Sequence, residues 1–191
     1  MNIENATYKI AIVKDETFTL DSVDNKPYDY IFNPVGFRRS DFYMAYSINI
    51  DDGIGKKRIA LIGSAYGRVD NSAVMEDDTL IVLANTILVS IDCRTISMKS
   101  HEIKSDTIPF FKVLLGIYRF DNAYIVHGEI DILKLSPAFE IEWSYSGGDI
   151  FITQDGSCPF RIENDIIHLT DWNGRKYAVN KFGKDMAGKT V

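Results

Sequence analysis

The sequence predicts an all-β protein built of antiparallel hairpins, and three observations carry that expectation. Ile numbers 25 against 10 Leu, beside 10 Tyr and 11 Phe. This excess of β-branched and aromatic side chains suits a pleated, half-buried surface. Asp numbers 19 against 8 Glu; Asp bonds to backbone N–H groups in turns, whereas Glu favours helices. Short apolar runs, many of them alternating, are separated by Gly, Pro, Asn and Asp, and no segment shows a capped 3.6-residue period. A short helix is expected at most within 14–27 or 68–78.

Taken in order, residues 6–13 read as a strand, 18–20 as a short one and 28–32 as another, ended by Asn33, Pro34 and Gly36. Residues 42–50 and 58–66 form a hairpin around the 51–56 tip (DDGIGK). Residues 79–84 and 87–91 flank a tight turn at Asn85 and Thr86, and 95–98 follows the turn at Cys93 and Arg94. Residues 112–120 precede a long strand over 123–135. A Ser136-Pro137 turn leads back into 139–145, and Gly147-Gly148 leads into a further strand. Residues 159–162, 166–170 and 176–180 complete the set. Asn173-Gly174 joins the last two strands, because both residue types tolerate the positive φ of a tight hairpin turn.

The segments TLIVLANTILVSIDCRTISM (79–98) and AYIVHGEIDILKLSPAFEIE (123–142) align without a gap at a shift of 44, placing Asp92 on Ser136. A second shift of 44 reaches Asn180 in KYAVNKFGK, and YSINIDDG (46–53) is a weaker upstream echo. Over 79–184 these segments resemble blades of a β-propeller of the quinoprotein or WD-repeat type, in which each repeat is a four-stranded antiparallel sheet. The resemblance implies propeller-blade-like repeats of about 44 residues. Trp143 has no counterpart at 99 or 187, and no Trp-Asp pair closes a blade. A β-sandwich is the alternative. The 191 residues suit a single all-β domain over 1–191, with an N-terminal subregion 1–75 and a repeat region 76–184.

The net charge of −6 argues against a nucleic-acid binder, which should show a basic face, and is compatible with a basic protein partner. No apolar run is long enough to span a bilayer as a helix. The N-terminal MNIENATYKIAIVKDE has no signal-peptide pattern. Cys93 and Cys158 are too few for a disulfide scaffold and read as free thiols. A cytoplasmic protein is expected, with no membrane or nucleic-acid partner and no cofactor. A homodimer through open sheet edges is compatible with the class.

Two sites compete. In a continuous 123–135 strand, His127, Glu129 and Asp131 would share one polar face, and His168 could add a second imidazole; these residue types bind zinc, iron or manganese. The rival set is Trp172, Asp171 and Asn173 at a hairpin tip, with Tyr145 and Asp149, where an aromatic at a turn serves as an interface anchor. Gly63-Ser64-Ala65-Tyr66-Gly67 lacks the spacing of a nucleophile elbow, and the 51–56 tip fits neither a phosphate loop nor an EF-hand. The leading expectation is therefore a non-catalytic binding or protein-interaction module of a bacterial-type cytosolic protein, of which a toxin-neutralising, immunity-type protein is a concrete version. The alternative is a metal-dependent hydrolase or small-ligand sheet enzyme using His127, Glu129 and Asp131.

Overall fold

The computed structural model of the chain describes residues 1–84, 86–103 and 113–186. Among these residues there is no helix, so neither 14–27 nor 68–78 forms one. A five-stranded sheet contains β1 (Asn2–Glu4), β2 (Lys9–Asp15), β3 (Tyr30–Phe32), β4 (Tyr43–Asp51) and β5 (Lys56–Ser64), in the order β1-β2-β4-β5-β3. A four-stranded sheet follows in chain order, with β6 (Ala73–Glu76), β7 (Thr79–Leu83), β8 (Ile87–Asp92) and β9 (Ser97–Glu102). A second four-stranded sheet holds β10 (Leu114–Phe120), β11 (Ala123–Gly128), β12 (Asp131–Leu135) and β13 (Ile141–Ser146). The last sheet holds β14 (Phe160–Glu163), β15 (Ile166–Thr170) and β16 (Lys176–Asn180). None of the four closes on itself.

The chain divides into two compact units, Met1–Glu102 and Ile103–Val191. In unit 1 one core unites the first two sheets: Tyr46, Ile48 and Ile59 meet Leu80, Val82 and Val89. The other face of the five-stranded sheet is covered by the 16–43 connection, where Phe18 and Leu20 pack on Ala45, Ala60 and Ile62. Asp15 anchors that connection. Its buried carboxylate accepts hydrogen bonds from Tyr28 (2.6 Å), Thr17 (2.7 Å) and Lys26 (3.0 Å). Burial opposes its charge, but these donors hold the Asp15 carboxyl well below the usual range. In unit 2 the core joins Ile125 and Ile132 to Phe160, Ile167, Leu169 and Val179, and Phe151, from the connection between β13 and β14, is buried among them.

Several sequence expectations need correction. Residues 18–20 are turn and coil, because Phe18 and Leu20 face the core from a loop that Asp15 and Tyr43 tether. The β3–β5 pair is parallel, since the 33–42 connection crosses before β4 begins; the other strand pairs are antiparallel. The 123–135 segment is two strands. Glu129 and Ile130 form the connection between β11 and β12, and a Cβ on Gly128 would lie 2.8 Å from the Asp131 carbonyl oxygen. Residues 149–153 form no strand. Asn85 lies outside the described residues, although the Ala84 N–H donates to the Ile87 carbonyl across it (2.9 Å).

Turn chemistry repeats along the chain. β7 and β11 start 44 residues apart, as do β8 and β12, and β9 and β13. Asp92 Oδ1 accepts the N–H groups of Arg94 and Thr95, Ser136 Oγ accepts that of Glu140, and Asn180 Oδ1 accepts those of Phe182 and Lys184. Phe139 (φ 65°) and Gly183 (φ 74°), also 44 apart, both adopt the left-handed conformation. Asn164 (φ 51°) and Asp165 (φ 60°) form a two-residue turn with both residues at positive φ, as the primed hairpin types require. The 171–174 tip works differently. Gly174 alone takes positive φ (77°), the Gly174 N–H bonds to the Asp171 carbonyl, and the Asp171 N–H bonds to the Arg175 carbonyl. That is a turn followed by a glycine bulge.

Candidate interaction site

One loop cluster in unit 2 collects most of the binding residues expected from sequence. Asp171 directly follows β15 and is fully buried. Its Oδ1 accepts the N–H groups of Asn173 (3.0 Å) and Arg175 (2.9 Å), and its Oδ2 accepts the Tyr177 hydroxyl (2.7 Å). Burial disfavours the charged carboxylate. The Tyr177 hydroxyl, the two backbone N–H groups and the Arg175 charge more than offset this, and hold its carboxyl below the ordinary value. Asp171 is therefore a scaffold for the tip, which corrects its assignment as a contact residue: a fully buried side chain presents nothing to a partner.

The tip is also held from outside. Trp172 N–H donates to the Ile150 carbonyl (2.8 Å), and Gln154 Nε2 donates to the Trp172 carbonyl (2.9 Å). Asn173 Nδ2 donates to Asp149 Oδ2 (2.6 Å). The peptide between Ile150 and Phe151 is a single rung joining two hairpins: its carbonyl meets Trp172, and its N–H meets the Glu129 carbonyl (2.6 Å). This accounts for the missing strand at 149–153, where the backbone bonds to two separate turns instead of a ladder.

Glycines make the approach feasible. A Cβ on Gly147 would lie 2.7 Å from the Phe151 ring, and one on Gly148 would lie 2.7 Å from an Arg175 guanidinium nitrogen. The Gly148 N–H donates to the Tyr177 hydroxyl (2.9 Å). Tyr177 thus links Gly148 to Asp171. Tyr145 packs edge-on against Tyr177 (6.1 Å between centroids) and donates to Asp185 (2.8 Å). Burial and the Asp185 carboxylate push the Tyr145 hydroxyl upward, so it stays protonated.

Amid this fixed backbone Trp172 remains 42% exposed, with Asn173 and Arg175 exposed beside it. The cluster presents one indole, one guanidinium, two carboxamides and the Asp149 carboxylate. Such groups can stack, hydrogen-bond and form ion pairs with a ligand. Sequence reasoning missed Gln154 and Arg175; the alternation of Arg175 and Tyr177 after the tip was the available signal for the second.

The rival metal set is not assembled. His127 on β11 pairs with Ile132, so the two share a face, and Asp131 points to the other side. His127 stacks on Phe160 (4.8 Å, 16°) in the unit 2 core. Asp131 accepts the Ser146 hydroxyl across the β12–β13 pair. Glu129 sits in the connection between them, and His168 pairs with Ala178 on β15. The polar, solvated face expected for the 123–135 strand does not exist, because His127 and Asp131 are both buried. Among the described residues no three His, Cys, Asp or Glu side chains are grouped to hold a metal ion. The polar end of the five-stranded sheet forms an open groove of about 870 Å³ lined by Asn2, Lys9, Asn49 and Arg58, with Pro27 and Asp29 at its side. Its charges pair internally, Lys9 with Glu4 at 3.2 Å and Lys56 with Asp51 at 3.3 Å.

No protein-family model matches the chain, and no curated protein matches it. Among solved structures it is similar to the crystal structure of a computationally designed protein, Ika8, at 8% identity and a TM-score of 0.42. The match covers 78% of this chain and 46% of the designed one. A likeness of that degree carries no argument about fold or function. No helix among the described residues is long and apolar enough to cross a membrane.

Proposed function

We propose that the chain is a non-catalytic protein-interaction module that docks a partner through the Trp172 tip of unit 2. The carrying observation is that a 42%-exposed indole sits on a turn whose backbone is fixed on both sides, by Asp171 from within and by Ile150 and Gln154 from without. Such an anchor is ordered before binding, so little entropy is lost on docking. Trp and Arg are favoured hot-spot residues, and the polar rim of Asn173, Gln154 and Asp149 supplies directional bonds. A basic partner fits the net charge of −6, and neutralisation of a basic toxin would be one such role. Free Cys93 and Cys158 accord with a reducing, cytoplasmic setting. The 44-residue spacing of strand starts and the recurrent Asp92, Ser136 and Asn180 turns support reading the last three sheets as propeller-blade-like repeats. Pairwise packing of sheets within each unit keeps the sandwich as its alternative.

The test compares partner capture by the intact chain and by Trp172→Ala, with hydrogen exchange on the complex. Loss of an exposed hot-spot Trp should weaken binding about 30-fold or more, near 2 kcal/mol, with the urea midpoint little changed. Exchange protection should appear over 147–154 and 171–175. A captured partner that binds Trp172→Ala as tightly would refute the site.

A further inference from the structure

At one end of the β4–β5 ladder, where Tyr43 pairs with Ser64, two turns lie side by side. In the first, Asp41 N–H bonds to the Arg38 carbonyl (2.9 Å); in the second, Gly67 N–H bonds to the Ser64 carbonyl (2.9 Å). Each turn presents one exposed aromatic ring. Phe42 is 76% exposed and Tyr66 65%, and their rings touch edge to face at 6.1 Å and 68°. The same turns carry Arg38, Arg39 and Arg68, all exposed and, among the described residues, without an ion pair. Elsewhere in unit 1, Lys9, Lys14, Lys26, Lys56 and Arg94 do have acidic partners. Two aspartates stand near the three arginines. Asp41 Oδ2 accepts the Arg38 N–H (2.7 Å), and Asp70 is exposed beyond Arg68. Unpaired guanidiniums and exposed rings therefore coincide on a chain that is acidic as a whole. β3 is one of the two edge strands of this sheet, has Tyr30 and Ile31 exposed, and ends at Phe32 opposite Leu61, three residues before Ser64 on β5.

We infer that this end of unit 1 is a second docking surface, built for an extended acidic polypeptide segment with an apolar anchor residue. Arginine forks bind carboxylates in two-point fashion, and an aliphatic or aromatic side chain can pack against the exposed faces of the touching Phe42 and Tyr66 rings. The open edge of β3 offers backbone N–H and C=O groups to an extended chain. The crossed rings give no parallel platform for successive bases, which disfavours a single-stranded nucleic acid. This surface is on unit 1 and is independent of the Trp172 site.

The experiment titrates the full chain with a short synthetic Glu-rich peptide carrying one Phe and one Leu, followed by NMR and fluorescence anisotropy. A Lys-for-Glu version of the peptide and oligo(dT) serve as comparisons. The acidic peptide should bind and shift the Phe42 and Tyr66 ring resonances. The Arg38→Glu/Arg39→Glu/Arg68→Glu variant and the Phe42→Ser/Tyr66→Ser variant should each weaken it about tenfold or more, with other amide resonances unmoved. Absence of binding at about millimolar peptide, equal binding of the Lys version, or an affinity untouched by either variant would overturn the inference. Tighter binding of oligo(dT) than of the peptide would overturn it too.

Discussion

Removing one hydroxyl, in Tyr177→Phe, should loosen the whole Trp172 tip. That oxygen donates to the buried Asp171 carboxylate at 2.7 Å and accepts from Gly148 at 2.9 Å. Hydrogen bonds to a buried charge contribute about 1.5–3 kcal/mol, and the Gly148 N–H also loses its acceptor, so a cost of about 2–3 kcal/mol at pH 7 is expected. The loss should depend on pH. Asp171 titrates below its ordinary value in the folded chain, so its contribution is fully present above the unfolded pKa of about 3.9 and is lost as pH falls through the folded value. Without the hydroxyl the folded pKa rises towards the unfolded one, which shrinks that contribution. The stability difference between the two proteins should therefore be largest at neutral pH and narrow below about pH 4. Urea unfolding followed by Trp fluorescence at a series of pH values measures it. A difference under about 0.5 kcal/mol at pH 7, or one constant down to acid pH, would show that Asp171 does not depend on Tyr177.

Four further outcomes follow from the packing. Tyr46→Phe should be neutral or stabilising within about 1 kcal/mol, because the buried Tyr46 hydroxyl has no hydrogen-bond partner among the described residues; calorimetry checks this. In a double-mutant cycle, Gly67→Ala should cost more in the wild type than in the Tyr46→Phe background, since a Cβ at Gly67 would collide with the Tyr46 oxygen. Gly183→Ala should destabilise by about 1–3 kcal/mol in urea melts, because φ is 74° there and the new Cβ would lie 2.8 Å from the Trp143 ring. His127→Ala should leave metal content, read by elemental analysis, equal to that of the wild type, and should cost about 1–3 kcal/mol through the lost stack on Phe160. Stoichiometric metal in the wild type that disappears in the variant would reinstate the ligand set.

Much of the local structure was legible because turn chemistry is local. Asp92, Ser136 and Asn180 stand out in the 44-residue alignment, and each side chain accepts the N–H groups of its own turn. The same alignment held a signal that strand periodicity hid. Asn85 and Thr86 fall on Glu129 and Ile130 at that shift, so the turn expected at the first pair marks the break at the second. The alternation of His127, Glu129 and Asp131 makes one polar face only in a continuous strand. Two connecting residues are enough to send His127 and Asp131 to opposite faces, since side-chain direction follows pairing register.

By itself the sequence determined the all-β class, the main hairpins and the turn at the Asn173-Gly174 tip, because β-propensity and turn-forming side chains act over a few residues. Only the tertiary structure decided which of those tip residues can touch a partner. Asp171 and Trp172 are adjacent in the chain, yet one is fully buried and the other exposed. Burial of Asp171 rests on Tyr177 and on the backbone of Asn173 and Arg175, and the setting of Trp172 rests on Ile150 and Gln154, about twenty residues away in sequence. The parallel β3–β5 pair and the meeting of Phe42 with Tyr66 are likewise products of long-range pairing. Such contacts depend on how sheets pack and which edges meet, and no short-range pattern of residues encodes them.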